Sequence, residues 1–214
     1  MSGARVALVD YGAGNLRSVA KALERSGLVV ELATEAAVIE RADGIVLPGA
    51  GAFKDGMAGL RERGLDDALR KAVEQGRPYL GLCLGVQLLF EHGEEHGLTE
   101  GLGLLKGRVQ RFGETDAQGQ RRRVPHIGWN EVRFEGQHPM LDHLPERDFF
   151  YFVHSYRPVP TEDGIVVGRT RYGDEFASVV ARGSLFAVQF HPEKSQSAGL
   201  RLMDAYRAWV ESCR

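Results

Sequence analysis

Cysteine is nearly absent: the 214-residue chain has two, Cys83 and Cys213, far apart. That excludes a disulfide framework and fits a reducing compartment. Neither charge is in excess, since 27 Lys and Arg face 29 Asp and Glu. Bulk attraction to nucleic acid or an anionic membrane has no basis, and the isolated triplet Arg121-Arg122-Arg123 reads as a solvated turn. Long hydrophobic runs are missing too. The most apolar stretch, Tyr79–Phe90, is far shorter than a membrane span, and no signal peptide is visible ahead of Asp10. There is no linker, internal repeat or low-complexity tract. The expectation is a cytoplasmic chain folding as one domain over residues 1–214, long enough to bury a sizeable core.

What is present alternates. Arg5–Asp10 reads as a buried strand, Leu16, Val19, Ala20 and Leu23 fall on one helical face, and Gly27 stops that helix. Leu28–Leu32 and Asp43–Pro48 read as further strands, with a weakly signalled helix over Glu35–Arg41 between them. Leu65, Ala68, Leu69, Ala72 and Val73 form the next helical stripe, stopped by Gly76-Arg77-Pro78. This pattern predicts an α/β fold of three layers, with a mostly parallel central sheet between helices. From Lys106 onward short strands separated by turns are expected, over 106–112, 123–127, 131–134, 149–154, 165–170, 177–181 and 185–190. They would add antiparallel strands to the sheet in the second half, and Gln196–Ser212 closes the chain as a helix.

Two tempting motifs fail on inspection. Gly12 and Gly14 begin a dinucleotide fingerprint, but its third glycine is replaced by Arg17, so no cofactor is assigned. His92-Gly93-Glu94-Glu95-His96 matches a zinc pattern that needs a continuous helix, which Gly93 weakens; it reads as a polar helix end, with no metal.

A third motif is better supported. Gly81-Leu82-Cys83-Leu84-Gly85 places a thiol between two close glycines, where strand Tyr79–Leu82 turns into a helix over Val86–Glu91. This is the nucleophile-elbow pattern with Cys in place of Ser. Alone, Cys83 is more simply a core residue, because free cysteine is among the most buried types. His191-Pro192-Glu193 changes the balance. A histidine where an apolar strand exits, with a carboxylate two residues on in an extended segment, supplies a base and the group that fixes its tautomer. Pro48–Phe53, a glycine-rich loop at a strand's carboxyl end, can offer backbone N–H groups as an oxyanion hole.

The elbow, the AVQFHPE segment and the LPGAGAF loop together resemble the class I glutamine amidotransferases. DYGAGNLRSV, VPHIGWN, YFVHSYR and HPEKS are similar to the glutaminase subunits of imidazole glycerol phosphate synthases, over essentially the whole chain. The resemblance implies that Cys83 attacks the carboxamide of glutamine. His191 accepts the thiol proton and returns it to departing ammonia, and Glu193 orients His191. It further implies an oxyanion hole from the backbone of Ala50, Gly51 and Leu84, and substrate contacts from Gln87, Glu95, Ser155 and Tyr156, with Glu95 on the α-amino group. A (β/α)₈ cyclase subunit would be the heterodimer partner, met near Asn15, Trp129, Tyr151 and Lys194. It would use the ammonia to form imidazole glycerol phosphate and an aminoimidazole carboxamide ribotide. A glutaminase subunit of another complex, such as anthranilate or aminodeoxychorismate synthase, would share the triad but lack DYGAGN and PHIGWN.

Overall fold

Short apolar runs build the centre of the sheet in the computed structural model, which describes residues 3–214. β1 (Arg5–Val9), β3 (Gly44–Leu47) and β4 (Tyr79–Leu82) carry almost no polar side chains, and β3 and β4 are buried throughout. Such strands need cover on both faces, which parallel pairing with crossover helices supplies. With β2 (Val29–Ala33) and the late β13 (Leu185–Val188) they pair in parallel in the order β2-β1-β3-β4-β13.

Alternation along the strands divides the core in two. Val6, Leu8, Val46, Leu80 and Leu82 pack with α1 (Leu16–Arg25) and the final helix α6 (Gln196–Ser212). Ala7, Val9, Ile45, Leu47 and Tyr79 pack on the other face with α2 (Ala36–Arg41), α3 (Phe53–Glu62) and α4 (Leu65–Glu74). The result is the expected α/β three-layer arrangement.

Beyond β13 the pairing reverses. β12 (Asp174–Arg182), β11 (Val166–Tyr172), β8 (His126–Phe134) and β9 (Arg147–His154) continue the same sheet by antiparallel pairs, making nine strands. Four parallel pairings join β2 to β13 and four antiparallel ones add strands of the second half, the mixed sheet that was expected. A second, unexpected sheet joins β10 (Tyr156–Pro160), β7 (Leu105–Arg111), β5 (Phe90–Gly93) and β6 (Thr99–Glu100). Among the described residues no helix is long and apolar enough to cross a membrane.

Four local expectations need correction. The helix over Val86–Glu91 is a single turn, α5 (Leu84–Gln87), and the His92–His96 stretch is the strand β5 and its turn, not a helix end. The carbonyls of Leu88, Leu89, Phe90 and Glu91 accept from the N–H groups of 101–104, so a continued helix has lost its acceptors. Strands 123–127 and 131–134 are one strand, β8, which starts only at His126 and runs through Gly128 with every residue from His126 to Arg133 paired to β9, leaving 123–125 outside it. Helix α3 was hidden by its two glycines. A Cβ at Gly59 would stand 2.3 Å from the Tyr11 carbonyl oxygen, so the glycine buys close packing at the expense of helix propensity. Arg122 is not part of a solvated turn: its side chain is 4 % exposed and bonded to Asp174.

Candidate active site

Cys83 sits between the last residue of β4 and the first of α5 with φ +52° and ψ −105°. A non-glycine residue there is strained by about 1–3 kcal/mol and persists only where its surroundings enforce it. Here they do: the Cys83 N–H donates to the Val188 carbonyl of β13 at 2.8 Å, and the Val86 N–H to the Cys83 carbonyl at 3.1 Å. A Cβ on Gly85 would lie 1.9 Å from the Leu47 carbonyl oxygen, so only glycine lets α5 lie this close to β3. Since α5 is one turn long, its dipole contributes little to the sulfur, and the field there comes from the neighbouring side chains.

The chief of these neighbours is His191. It follows β13, and its N–H donates to the Tyr151 carbonyl at 2.9 Å. Its own carbonyl accepts from Ser195 Oγ at 2.6 Å, and that Oγ accepts from the Tyr151 N–H at 3.0 Å. Glu193 was expected along an extended segment. It lies instead in a 3-10 turn, Pro192–Lys194, which still brings Oε1 to 2.8 Å from His191 Nδ1. A carboxylate only accepts, so Nδ1 carries a proton and Nε2 is left for the sulfur. Both side chains are almost fully buried. Burial opposes a charge on His191, but hydrogen bonds to Cys83 and Glu193, and the charges of both, outweigh it. The imidazole pKa is pushed up to about 10.

A cavity of about 240 Å³ opens on this pair, small against the ~300–1,000 Å³ of drug-sized sites. Ala50, Gly51 and Leu84 line it beside Cys83 and His191. Gly51 holds the loop with φ +107°, a conformation a side chain would strain. Gln87, Glu95, Ser155 and Tyr156 line the remainder with Val153, His154 and Lys194. Glu95 Oε2 accepts from the N–H of Phe53, the first residue of α3 and the end of the glycine loop, at 2.8 Å. Gln87 Nε2 donates to the Tyr156 carbonyl at 3.0 Å and to Gln189 Oε1 at 3.1 Å. A larger cavity of about 680 Å³, lined by Arg111, Glu114 and Arg121 to Pro125, contains none of the triad.

Behind Tyr156 lies a buried chain that sequence reasoning missed. His154 Nδ1 is 2.8 Å from the Tyr156 carbonyl, His126 Nδ1 is 2.9 Å from His154 Nε2, and Asn130 Nδ2 is 3.2 Å from His126 Nε2. The carbonyl can only accept, so each imidazole donates through Nδ1 and accepts through Nε2, and both are neutral. Burial lowers the pKa of His126 to about 4. For His154, burial together with nearby positive groups outweighs the carbonyl bond and brings it to about 3. Gln189 was missed as well. It is fully buried directly after the apolar strand β13, and its partners Gln87 and Cys83 lie far away in the sequence, which left no local signal.

The four residues expected at a partner surface divide between the start of α1, the strands β8 and β9, and the turn after β13. Asn15 caps α1 and is exposed, its Oδ1 accepting from Ser18 N–H at 3.4 Å. Trp129 of β8 faces Tyr151 of β9 across the strand pair, with ring centroids 6.3 Å apart. Lys194 lies over the Tyr151 ring at 5.9 Å. Ile127, Trp129 and Phe149 are 59 %, 47 % and 55 % exposed on the same face of this edge pair.

The family model for class-I glutamine amidotransferases matches residues 7–203. The imidazole glycerol phosphate synthase subunit HisH of Pseudomonas putida is 50% identical over 206 residues, covering 95% of this chain and 97% of its own. HisH of Geobacillus thermodenitrificans is 47% identical over 201 residues, covering 94% of each. Among solved structures, PurLQS from Thermotoga maritima superimposes with a TM-score of 0.76 at 22% identity, over 98% of this chain and 100% of that one. A glutamine amidotransferase crystal structure gives 0.69 at 25% identity, over 96% and 98%. The model's span and the near full-length relatives leave one conclusion: the chain belongs to the class-I glutamine amidotransferase family.

Proposed function

We propose that the chain is the glutaminase subunit of imidazole glycerol phosphate synthase, acting in histidine biosynthesis with Cys83, His191 and Glu193 as its triad. The observation that carries the mechanism is the buried His191, bonded to Glu193 and to the elbow thiol, with its proton held up to pH about 10. The proton therefore resides on the imidazole before substrate arrives. The sulfur attacks the carboxamide carbon of glutamine, and the carbonyl oxygen becomes an oxyanion facing Leu84 and the Ala50–Gly51 turn, whose backbone N–H groups receive it. The C–N bond breaks as His191 gives its proton to the departing nitrogen, releasing ammonia and leaving a thioester. Water then attacks that carbon, with His191 taking its proton, and the C–S bond breaks to give glutamate. Glu193 keeps the imidazole in the required tautomer throughout.

Gln87, Glu95, Ser155 and Tyr156 hold the amino-acid end of glutamine, and a cavity of about 240 Å³ suits that size. The Glu95 carboxylate pairs with the α-ammonium group. Ammonia escaping into water would be protonated and lose its nucleophilicity, so a partner must receive it. The apolar strip of exposed Ile127, Trp129 and Phe149 with half-buried Tyr151 supports a docking face for a (β/α)₈ cyclase subunit. It adjoins the cavity through Val153 and Lys194, and Asn15, exposed at the start of α1, is taken as a further partner contact.

The test is glutamate release from glutamine by wild type and Cys83→Ala, with and without the cyclase subunit and its nucleotide ligand. Low activity alone, strong stimulation by the liganded partner and silence in the variant are expected. Stimulation by the synthase component for anthranilate instead would move the chain to that branch. Undiminished turnover in Cys83→Ala would refute the mechanism.

A further inference from the structure

Gln189 is wholly buried, and its side chain is tied at both ends. Oε1 accepts from Gln87 Nε2 at 3.1 Å, and Nε2 approaches Cys83 Sγ at 3.8 Å, a length reached by hydrogen bonds to the large sulfur atom. Its backbone is fixed as well, because the Gln189 N–H donates to the Ser178 carbonyl at 2.9 Å.

The direction of the carboxamide follows from its neighbours rather than from the atoms alone. The Tyr156 carbonyl has no proton to give, so the Gln87 group facing it at 3.0 Å must be the NH₂. That same NH₂ faces Gln189, which must answer with its oxygen. The nitrogen of Gln189 is then the end left for the sulfur. Turning the Gln189 amide over would set NH₂ against NH₂. The His126–His154 chain fixes the Tyr156 carbonyl from behind.

We propose that Gln189 is a third partner of the nucleophile, donating an N–H to Cys83 Sγ and holding it as the thiolate, aimed by Gln87 and the Tyr156 carbonyl. This rests on the reading of Cys83 as the nucleophile. His191 and Gln189 then offer the sulfur two donors, and an anion is the species that two donors favour. His191 gives up its proton during turnover, whereas Gln189 cannot. Gln189 is therefore the donor that still faces the sulfur while the thioester stands, before His191 regains a proton from water.

The measurement is the rate of Cys83 alkylation by iodoacetamide against pH, followed by mass spectrometry in a Cys213→Ser background without substrate. Gln189→Glu keeps the acceptor for Gln87 but removes the donor to sulfur; Gln189→Met removes both. In each, the pH of half-maximal alkylation should rise by about one unit, a tenfold loss of thiolate at a given pH below it. Profiles superimposable on the parent in a variant with an unchanged melting curve would overturn the proposal. Should both variants unfold, the parent decides: the Gln189 side-chain amide proton resonance should move on replacing Cys83 by Ser, and an unmoved resonance would also overturn it. None of these readouts is glutaminase turnover, so failure here leaves the glutamate-release assay to judge the triad separately.

Discussion

Three histidines in one neighbourhood are held in opposite protonation states, and that difference makes the stability depend on pH from both sides. Folded His191 keeps its proton up to pH about 10, whereas an unfolded imidazole loses it near 6.5. That proton comes from the Cys83 thiol, which the unfolded chain keeps to about pH 8.5, so stability from the pair falls only as pH rises above about 8.5. His126 and His154 refuse protons until pH about 4 and about 3, while their unfolded counterparts accept them near 6.5. Stability is therefore also lost on acidification, by about 1.4 kcal/mol per pH unit for each refused proton. Melting temperatures measured from pH 4 to 10 should rise to a plateau between about 6.5 and 8.5 and fall beyond it, and His126→Gln should flatten the acid limb by about one proton's slope. An acid limb unchanged in that variant would contradict the neutral pair. At this scale the sequence was only partly legible. Cys83 and His191-Pro192-Glu193 announce themselves by short spacing. Gln189 and the His126–His154 pair meet only through pairings between distant strands, which no local pattern encodes.

Among the elements, the elbow is the least tolerant. Gly85 leaves no room between α5 and the Leu47 carbonyl, so Gly85→Ala must push α5 off β3 or unfold the turn. Loss of Cys83 alkylation, with several degrees off the melting temperature, is the expected result. Near-normal alkylation would mean that the turn relaxes freely. The edge pair β8–β9 should behave in the opposite way. Trp129→Ala removes an exposed ring and should leave the melting curve and Cys83 alkylation unchanged. It should weaken partner binding by about 2 kcal/mol, roughly thirtyfold in Kd, read by titrating the stimulated glutaminase. Unchanged affinity would place the docking face elsewhere. Strands with continuous apolar runs and the amphipathic helices α1 and α4 could be read from the sequence because their own periodicity specifies them. Helix α3 and strand β5 could not, because glycines chosen for close packing mask the first and acceptors borrowed by residues 101–104 decide the second.

For the molecule as a whole, the three-layer α/β arrangement follows from the alternation of the first eighty residues, while the second sheet rests on pairings that skip along the chain. The most consequential long-range pairing lies in the first sheet, β4 with β13, where Tyr79 meets Leu185 and Leu82 meets Val188. β13 lies between β4 and β12, so a place in the middle of the sheet must be kept for a strand made near the end of the chain. This sets an order in time. On a ribosome adding about 5–20 residues per second, the segment with Cys83 emerges on the order of ten seconds before the segment with His191. Throughout that interval the nascent thiol has neither its base nor the Val188 carbonyl that holds its turn. The nascent chain therefore lacks the contacts that hold Cys83, and the slow closure of a long loop supplies them.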